Sequence, residues 1–266
     1  HFRSGLDMLN SGKLGKIRMV KTWAYQGWMK NIPKQPDGPV PAGVNYDMWL
    51  GPAQKRPFNP NRFHFNFRWF WDYAGGLMTD WGVHLVDYAL LGMKGVDPIS
   101  VMASGGKLAY PDDASETPDT LATVYDFGDY IMLWEHAQAI NNGNYGKDHG
   151  IAFIGNNGTL VLDRGGWQVI TEGTRMEKVE EVKRSDNGLG NHTRNFIDVV
   201  KSRKFEDLNC PIQAGATVAR VCQMGNIAYR TGKKLYWDKQ KNGFNDKEAD
   251  KLLTPTYHNN YKLPKI

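Results

Sequence analysis

Apolar positions in this chain follow two periods that divide it into elements. Phe2, Leu6 and Leu9 recur at helical spacing and stop at Asn10-Ser11-Gly12, so residues 1–12 predict a short helix closed by a glycine. From Lys16 to Trp28 the period falls to two, with Ile17, Met19, Trp23 and Tyr25 on one face and Arg18, Val20, Thr22 and Ala24 on the other, which predicts a strand. Seven of the 13 prolines fall within residues 31–60, so that stretch is an extended arm of the kind that is functional or wraps a partner. A helix is predicted from about Gly76 to Leu91. Strands follow at 99–104, Thr120–Phe127, Tyr130–Ala139, Ile151–Ile154, Thr159–Leu162 and Trp167–Thr171, with Gly128-Asp129 and Gly155-Asn156-Asn157-Gly158 as turns. Hairpins in succession imply a mostly antiparallel sheet. Helices near 191–203 and 212–231, the second announced by Asn209-Cys210-Pro211, precede a short strand at Leu235-Tyr236-Trp237, and a polar tail over 239–266 carries a late Thr254–Leu263 segment.

Composition narrows the class. At 266 residues, 41% hydrophobic and 23% charged, the chain is an ordinary globular one whose core needs no disulfides. The excess is aromatic, with 9 Trp, 12 Tyr and 11 Phe. A net charge of +5 is spread out, as in Arg203-Lys204-Phe205-Glu206-Asp207, and this argues against nucleic acid as a partner. Cys210 and Cys222 match no zinc or redox spacing and read as reduced, semi-buried helix residues. No apolar run reaches the roughly 18 residues of a membrane span. The chain begins at His1 with no initiator Met and no leader, so an upstream piece is expected to have been removed; the compartment expected is the cytoplasm, with the periplasm as the alternative.

The segment that carries chemistry is the helix at 76–91. Trp81, Leu85 and Tyr88 form one apolar row and Val83, Val86 and Leu90 another, leaving Asp80, His84 and Asp87 as a polar stripe spaced by four and three. Three readings are open: a surface Asp–His pair, an Asp-assisted histidine that exchanges a proton with a substrate hydroxyl, or two ligands of a metal ion, for which a third and fourth ligand are missing. Upstream, Arg68, Trp69, Trp71 and Tyr73 supply a cation and flat rings suited to a sugar or a nicotinamide, or to plain packing. His64 and His192 read as structural. Glu135 and His136, adjacent in a strand, face opposite sides of the sheet and form no dyad. No G-x-G-x-x-G follows a strand; the nearest, Gly188-Leu189-Gly190-Asn191-His192-Thr193, lacks the third glycine, and neither a G-x-S-x-G elbow nor a Walker loop occurs.

The stretch Gly75-Gly76-Leu77-Met78-Thr79-Asp80-Trp81-Gly82-Val83-His84-Leu85-Val86-Asp87 resembles the signature of the Gfo/Idh/MocA oxidoreductases, named for glucose–fructose oxidoreductase and inositol dehydrogenase. Ser11-Gly12-Lys13-Leu14-Gly15-Lys16-Ile17, Trp49-Leu50-Gly51-Pro52-Ala53, and Asn195-Phe196-Ile197-Asp198 through Leu235-Tyr236-Trp237-Asp238 agree with it. The resemblance implies the family's C-terminal half alone over residues 1–266: an α+β domain, dihydrodipicolinate reductase-like, with a large, mainly antiparallel open-faced sheet and helices on one face. The N-terminal Rossmann domain and the Glu-Lys-Pro motif are absent, so the fragment is expected to be inactive alone. In the intact protein the resemblance implies hydride transfer between a sugar, glycoside or polyol carbon and NAD or NADP, with His84 as acid/base, Asp80 as its partner, and Arg68, Trp69, Trp71 and Tyr25 lining the substrate cleft. Asp87 would anchor the helix, no metal would take part, and the sheet face would pair with another copy. An NAD-dependent glycosidase acting by transient C3 oxidation, a metal-dependent sugar isomerase and a non-catalytic sugar-binding or oligomerisation module are the competing readings.

Overall fold

The structure, a computed structural model, describes residues 1–185 and 188–264. Ten strands form one sheet: β1 (Ile17–Gln26), β2 (Ser100–Gly106), β3 (Thr120–Asp126), β4 (Ile131–Gln138), β5 (His149–Gly155), β6 (Gly158–Asp163), β7 (Gly166–Thr171), β8 (Val182–Lys183), β9 (Leu235–Asp238) and β10 (Gly243–Phe244). Their order is β10-β9-β2-β3-β4-β1-β5-β6-β7-β8. The helices are α1 (Phe2–Asn10), α2 (Tyr46–Leu50), α3 (Gly76–Asp80), α4 (Gly82–Met93), α5 (Leu189–Ser202), α6 (Ile212–Thr231) and α7 (Lys247–Asp250).

The sheet is mixed rather than wholly antiparallel. β1 runs antiparallel to β5 but parallel to β4, with Trp23 opposite Glu135. Parallel neighbours need a crossover, and here the whole stretch from the proline-rich arm to β3 supplies it. Part of that crossover, α4, lies on one face of the sheet beside α6 and α1. Val20 and Ala24 of β1, Tyr125 of β3, Trp134 of β4 and Phe153 of β5 point into this layer against Val86 and Ala89 of α4 and Val221 and Met224 of α6. Gly225 lets α6 approach closely, since a Cβ there would lie 2.4 Å from the Tyr125 hydroxyl. On the other face Trp23, Ala152 and Val161 form a small second core. It is roofed by the 140–148 loop, to which the Trp23 indole donates a hydrogen bond at Lys147 O, 2.8 Å.

Several local expectations change. The 76–91 helix is two helices meeting at Trp81 and ending at Met93. The arm contains one helical turn, α2, and is pinned by its asparagines: the Asn61 amide donates to Pro33 O at 2.7 Å and that of Asn59 to Gln35 O at 3.0 Å. The Thr254–Leu263 segment folds back on the arm without becoming regular, His258 N–H donating to Pro52 O at 2.9 Å. Cys222 is buried in α6, but Cys210 is exposed and precedes that helix, so the expectation of two helix cysteines holds for Cys222 only.

His136 faces the helix layer and is 2% exposed, while Glu135 points to the other side and accepts from Tyr25. The Trp134 indole N–H donates to His136 Nδ1 at 3.1 Å, so the ring proton sits on Nε2 and donates to Pro118 O at 3.1 Å. Adding a second proton would set two donors against each other. Burial pushes the imidazole down to about 4 from its ordinary 6.5, against the pull of the Pro118 carbonyl and Asp119. With a folded value below the unfolded one, the unfolded chain binds the extra proton first as pH falls. Stability is therefore complete above pH 6.5 and declines toward pH 4 by about 3 kcal/mol from this residue alone. Denaturant unfolding across that window is expected to show the decline and to lose most of it in His136→Gln; an equal slope in both proteins would refute the assignment.

Candidate functional site

The two glycines that open α3 are there for steric reasons. Gly76 has φ +64°, and a Cβ on it would lie 2.7 Å from the Thr117 Cβ. Gly75 N–H donates to Thr79 Oγ1 at 3.0 Å, and the buried Asn226 of α6 donates to Gly75 O at 3.0 Å, which locks the helix start against its neighbour. Trp81 keeps helical angles, φ −82° and ψ −34°, so the axis runs on into α4. His84 N–H, however, bonds back to Trp81 O rather than to Asp80 O, a tightened turn at the junction. α4 ends where Lys94, left-handed at φ 52°, returns its N–H to Leu90 O.

Along this double helix the polar stripe divides. Asp80 pairs with Arg68, Nε to Oδ1 at 3.0 Å, and does not hydrogen-bond His84. Arg68 is held by Phe65 O at 3.0 Å and lies over the Phe65 and Phe67 rings at 4.6 and 5.0 Å. His84 is exposed. Asp87 anchors nothing by hydrogen bond or ion pair among the described residues; burial between α4 and α6 raises its carboxyl, with the His84 charge acting in the opposite sense. The expected Asp80–His84 dyad is thus an Arg68–Asp80 pair beside a free-standing histidine.

His84 opens onto a cavity of about 760 Å³ whose wall also includes Trp81, Tyr88, His149, Asp163, Arg164, Arg184 and His192. His149 is at the start of β5, on the helix face; its Nδ1 donates to Asp148 Oδ1 at 2.7 Å, and its Nε2 is buried with no partner. Its ring meets the Trp81 ring at 5.0 Å between centroids, and the Arg164 guanidinium lies over the same indole at 4.9 Å. Trp81 therefore holds an imidazole and a cation around itself at the mouth of the cavity.

The remaining sequence candidates lie elsewhere. Trp69 is packed in a small core with Met29, Phe70 and Leu77 and lines a separate cavity with Trp28, Phe65 and Asp113. Trp71 lies under Arg230, 5.1 Å from the guanidinium, in a different cavity formed by the arm, α6 and the tail. Tyr25 sits on the opposite sheet face from α4, donating to Glu135 Oε1 at 3.3 Å. His64 is exposed beside Phe63, and His192 joins the His84 cavity wall. Sequence reasoning missed His149 and Arg164, because the strand was begun at Ile151 and Trp81 was counted only as an apolar residue; the adjacent Asp148-His149 pair was the available signal.

Residues 16–263 match the family model described as oxidoreductase family, C-terminal alpha/beta domain. No curated protein matches the chain by sequence. Among solved structures, an inositol dehydrogenase homolog from Azotobacter vinelandii complexed with NADH and myo-inositol is similar over 89% of this chain and 61% of its own, with 16% identity and a TM-score of 0.58. The WlbA dehydrogenase from Bordetella pertussis, in complex with NADH and UDP-GlcNAcA, is similar over 89% and 60%, with 15% identity and a TM-score of 0.53. GenD2 from gentamicin A biosynthesis, in complex with NAD, matches over 89% and 60% at 15% identity and a TM-score of 0.56. At these identities the likeness is one of fold, and the chain spans about 60% of the length of each.

The crowding at Gly76 has a measurable cost. Gly76→Ala adds a side chain at positive φ and forces it against Thr117, which is expected to destabilise the fold by roughly 2–4 kcal/mol. Urea midpoints of the two proteins check this, and a change within error would mean that the turn relaxes freely.

Proposed function

The chain belongs to the Gfo/Idh/MocA oxidoreductase family, and on that premise we propose that residues 1–266 are the substrate-binding and oligomerisation domain of an NAD(P)-dependent dehydrogenase acting on a hydroxyl carbon of a sugar, glycoside or polyol. The observation that carries it is His84, an exposed imidazole on a mostly buried helix, facing a cavity of about 760 Å³. Neutral histidine takes a proton near neutral pH, which is what a hydroxyl must lose as its carbon is oxidised; in reverse, the imidazolium returns it. Asp80, fixed by Arg68, accepts hydrogen bonds from substrate on the flank of the helix.

The residues of this chain do not fit a whole dinucleotide. The diphosphate wants a glycine-rich turn ahead of a helix, with free backbone N–H groups. No G-x-G-x-x-G occurs in residues 1–266, and the glycine pair that opens α3 is packed against Asn226 and Thr117. The nicotinamide nucleotide is therefore assigned to a Rossmann domain outside this chain, while the residues of this one position the substrate and move its proton. The arm at 31–60 and the tail that begins at residue 239 frame the domain. The sheet face opposite the helices, with Met102 and Ile170 exposed, is the surface for a second copy.

His84→Ala in the full-length protein is expected to lower kcat for sugar-dependent NAD(P)+ reduction by about 10²–10⁴-fold, with an unchanged unfolding midpoint. Undiminished turnover in the variant would overturn the role. A protein that retains NAD and releases no net NADH while cleaving a glycoside would be the glycosidase instead.

A further inference from the structure

Among the described residues, the wall around His84 carries one guanidinium held over an indole ring without an ion-pair partner, that of Arg164. Arg164, exposed in the turn from β6 to β7, has its guanidinium over the Trp81 ring and forms no ion pair among the described residues. The carboxylate beside it, Asp163, is already committed: it pairs with Lys147 Nζ at 2.7 Å and accepts from Gly165 N at 2.7 Å. Asp163 is also the one carboxylate among the described residues of the wall, which includes Arg164 and the imidazoles of His1, His84, His149 and His192. Indole stacking fixes the plane of a guanidinium without neutralising its charge, and a planar fork held in place matches an oxyanion in a bidentate way. The cavity, about 760 Å³, has room for a monosaccharide.

We infer that the substrate is an acidic sugar, its carboxylate or phosphate seated on Arg164 while the reacting hydroxyl lies at His84. This rests on the dehydrogenase reading and narrows it. Trp81 is then a positioning residue: its ring contacts both the Arg164 guanidinium and the His149 ring, one turn from His84. Neutral hexoses leave Arg164 unpaired, so the site discriminates by the acid group rather than by size.

The test is titration of the chain with glucuronate and galacturonate, their parent hexoses and the hexose 6-phosphates, read by calorimetry and by the ring signals of His84 and His149. At least one acid is expected to bind about tenfold or more tightly than its neutral parent. Arg164→Met brings the two within about twofold, while Arg164→Lys keeps part of the preference. Tighter uronate binding identifies the carboxylate as the recognised group, and tighter 6-phosphate binding identifies the phosphate. If hexoses perturb His84 as strongly as either acid does, or if Arg164→Met keeps the preference, the acidic-sugar inference fails and the dehydrogenase reading stands. If none of these sugars perturbs His84, the acidic-sugar inference fails, and the dehydrogenase reading is decided separately by the turnover of His84→Ala.

Discussion

The site depends on how completely α4 is buried. Leu85, Val86, Tyr88, Ala89 and Leu90 are all within the core, and burying the four larger side chains is worth roughly 8 kcal/mol before conformational entropy is counted. A helix gripped on most of its circumference cannot rotate, so its two exposed positions, His84 and Leu91, are fixed in direction. The polar one of the two is His84. Its orientation comes from packing, not from a hydrogen bond to Asp80, and the Arg68–Asp80 pair, each partner about a third exposed, adds at most about 1 kcal/mol.

The sheet supplies the other wall. Because β1 enters between β4 and β5, the chain must cross the helix face before β4 can form, and that crossover carries α3 and α4 over the sheet. β5 then starts beneath the junction of the two helices, which puts His149 against Trp81. The following hairpin brings Arg164 over the same indole. A cation and an imidazole from distant parts of the chain thus converge on a residue three positions before His84, and no one of these contacts would exist without the parallel pairing.

Much of this was legible from local patterns. The strands from β2 to β7 and the helices α1, α5 and α6 lie within a few residues of where period and turn chemistry place them, since each is an amphipathic or alternating segment bounded by glycine, asparagine or proline. The helix with the polar stripe was legible for the same reason. What stayed hidden was long-range. Spacing puts Asp80 four residues before His84, but the carboxylate found a guanidinium twelve residues upstream, because an arginine held over two phenylalanine rings is a better-placed donor. The parallel β1–β4 pair leaves no trace in a two-residue alternation. Nor does any local rule connect Asp148-His149 to Trp81.

The aromatic excess shows why residue counts alone are a poor guide to binding. Trp23 and Trp134 are wholly buried and spend their indole N–H groups on Lys147 O and His136 Nδ1. Trp69 fills the base of the arm, and Trp167 ties α1 to the sheet through Ser4 Oγ at 2.9 Å. These rings fill a broad sheet with a long crossover. Among the described residues, two of the nine tryptophans have a cation over the ring, Trp71 under Arg230 and Trp81 under Arg164. Of those two, only Trp81 shares its cavity with His84. The same indole ends one helix, begins the next and carries a guanidinium over its ring in the cavity that His84 opens onto, so what lies against a ring's face separates these aromatics better than how much of the ring is exposed.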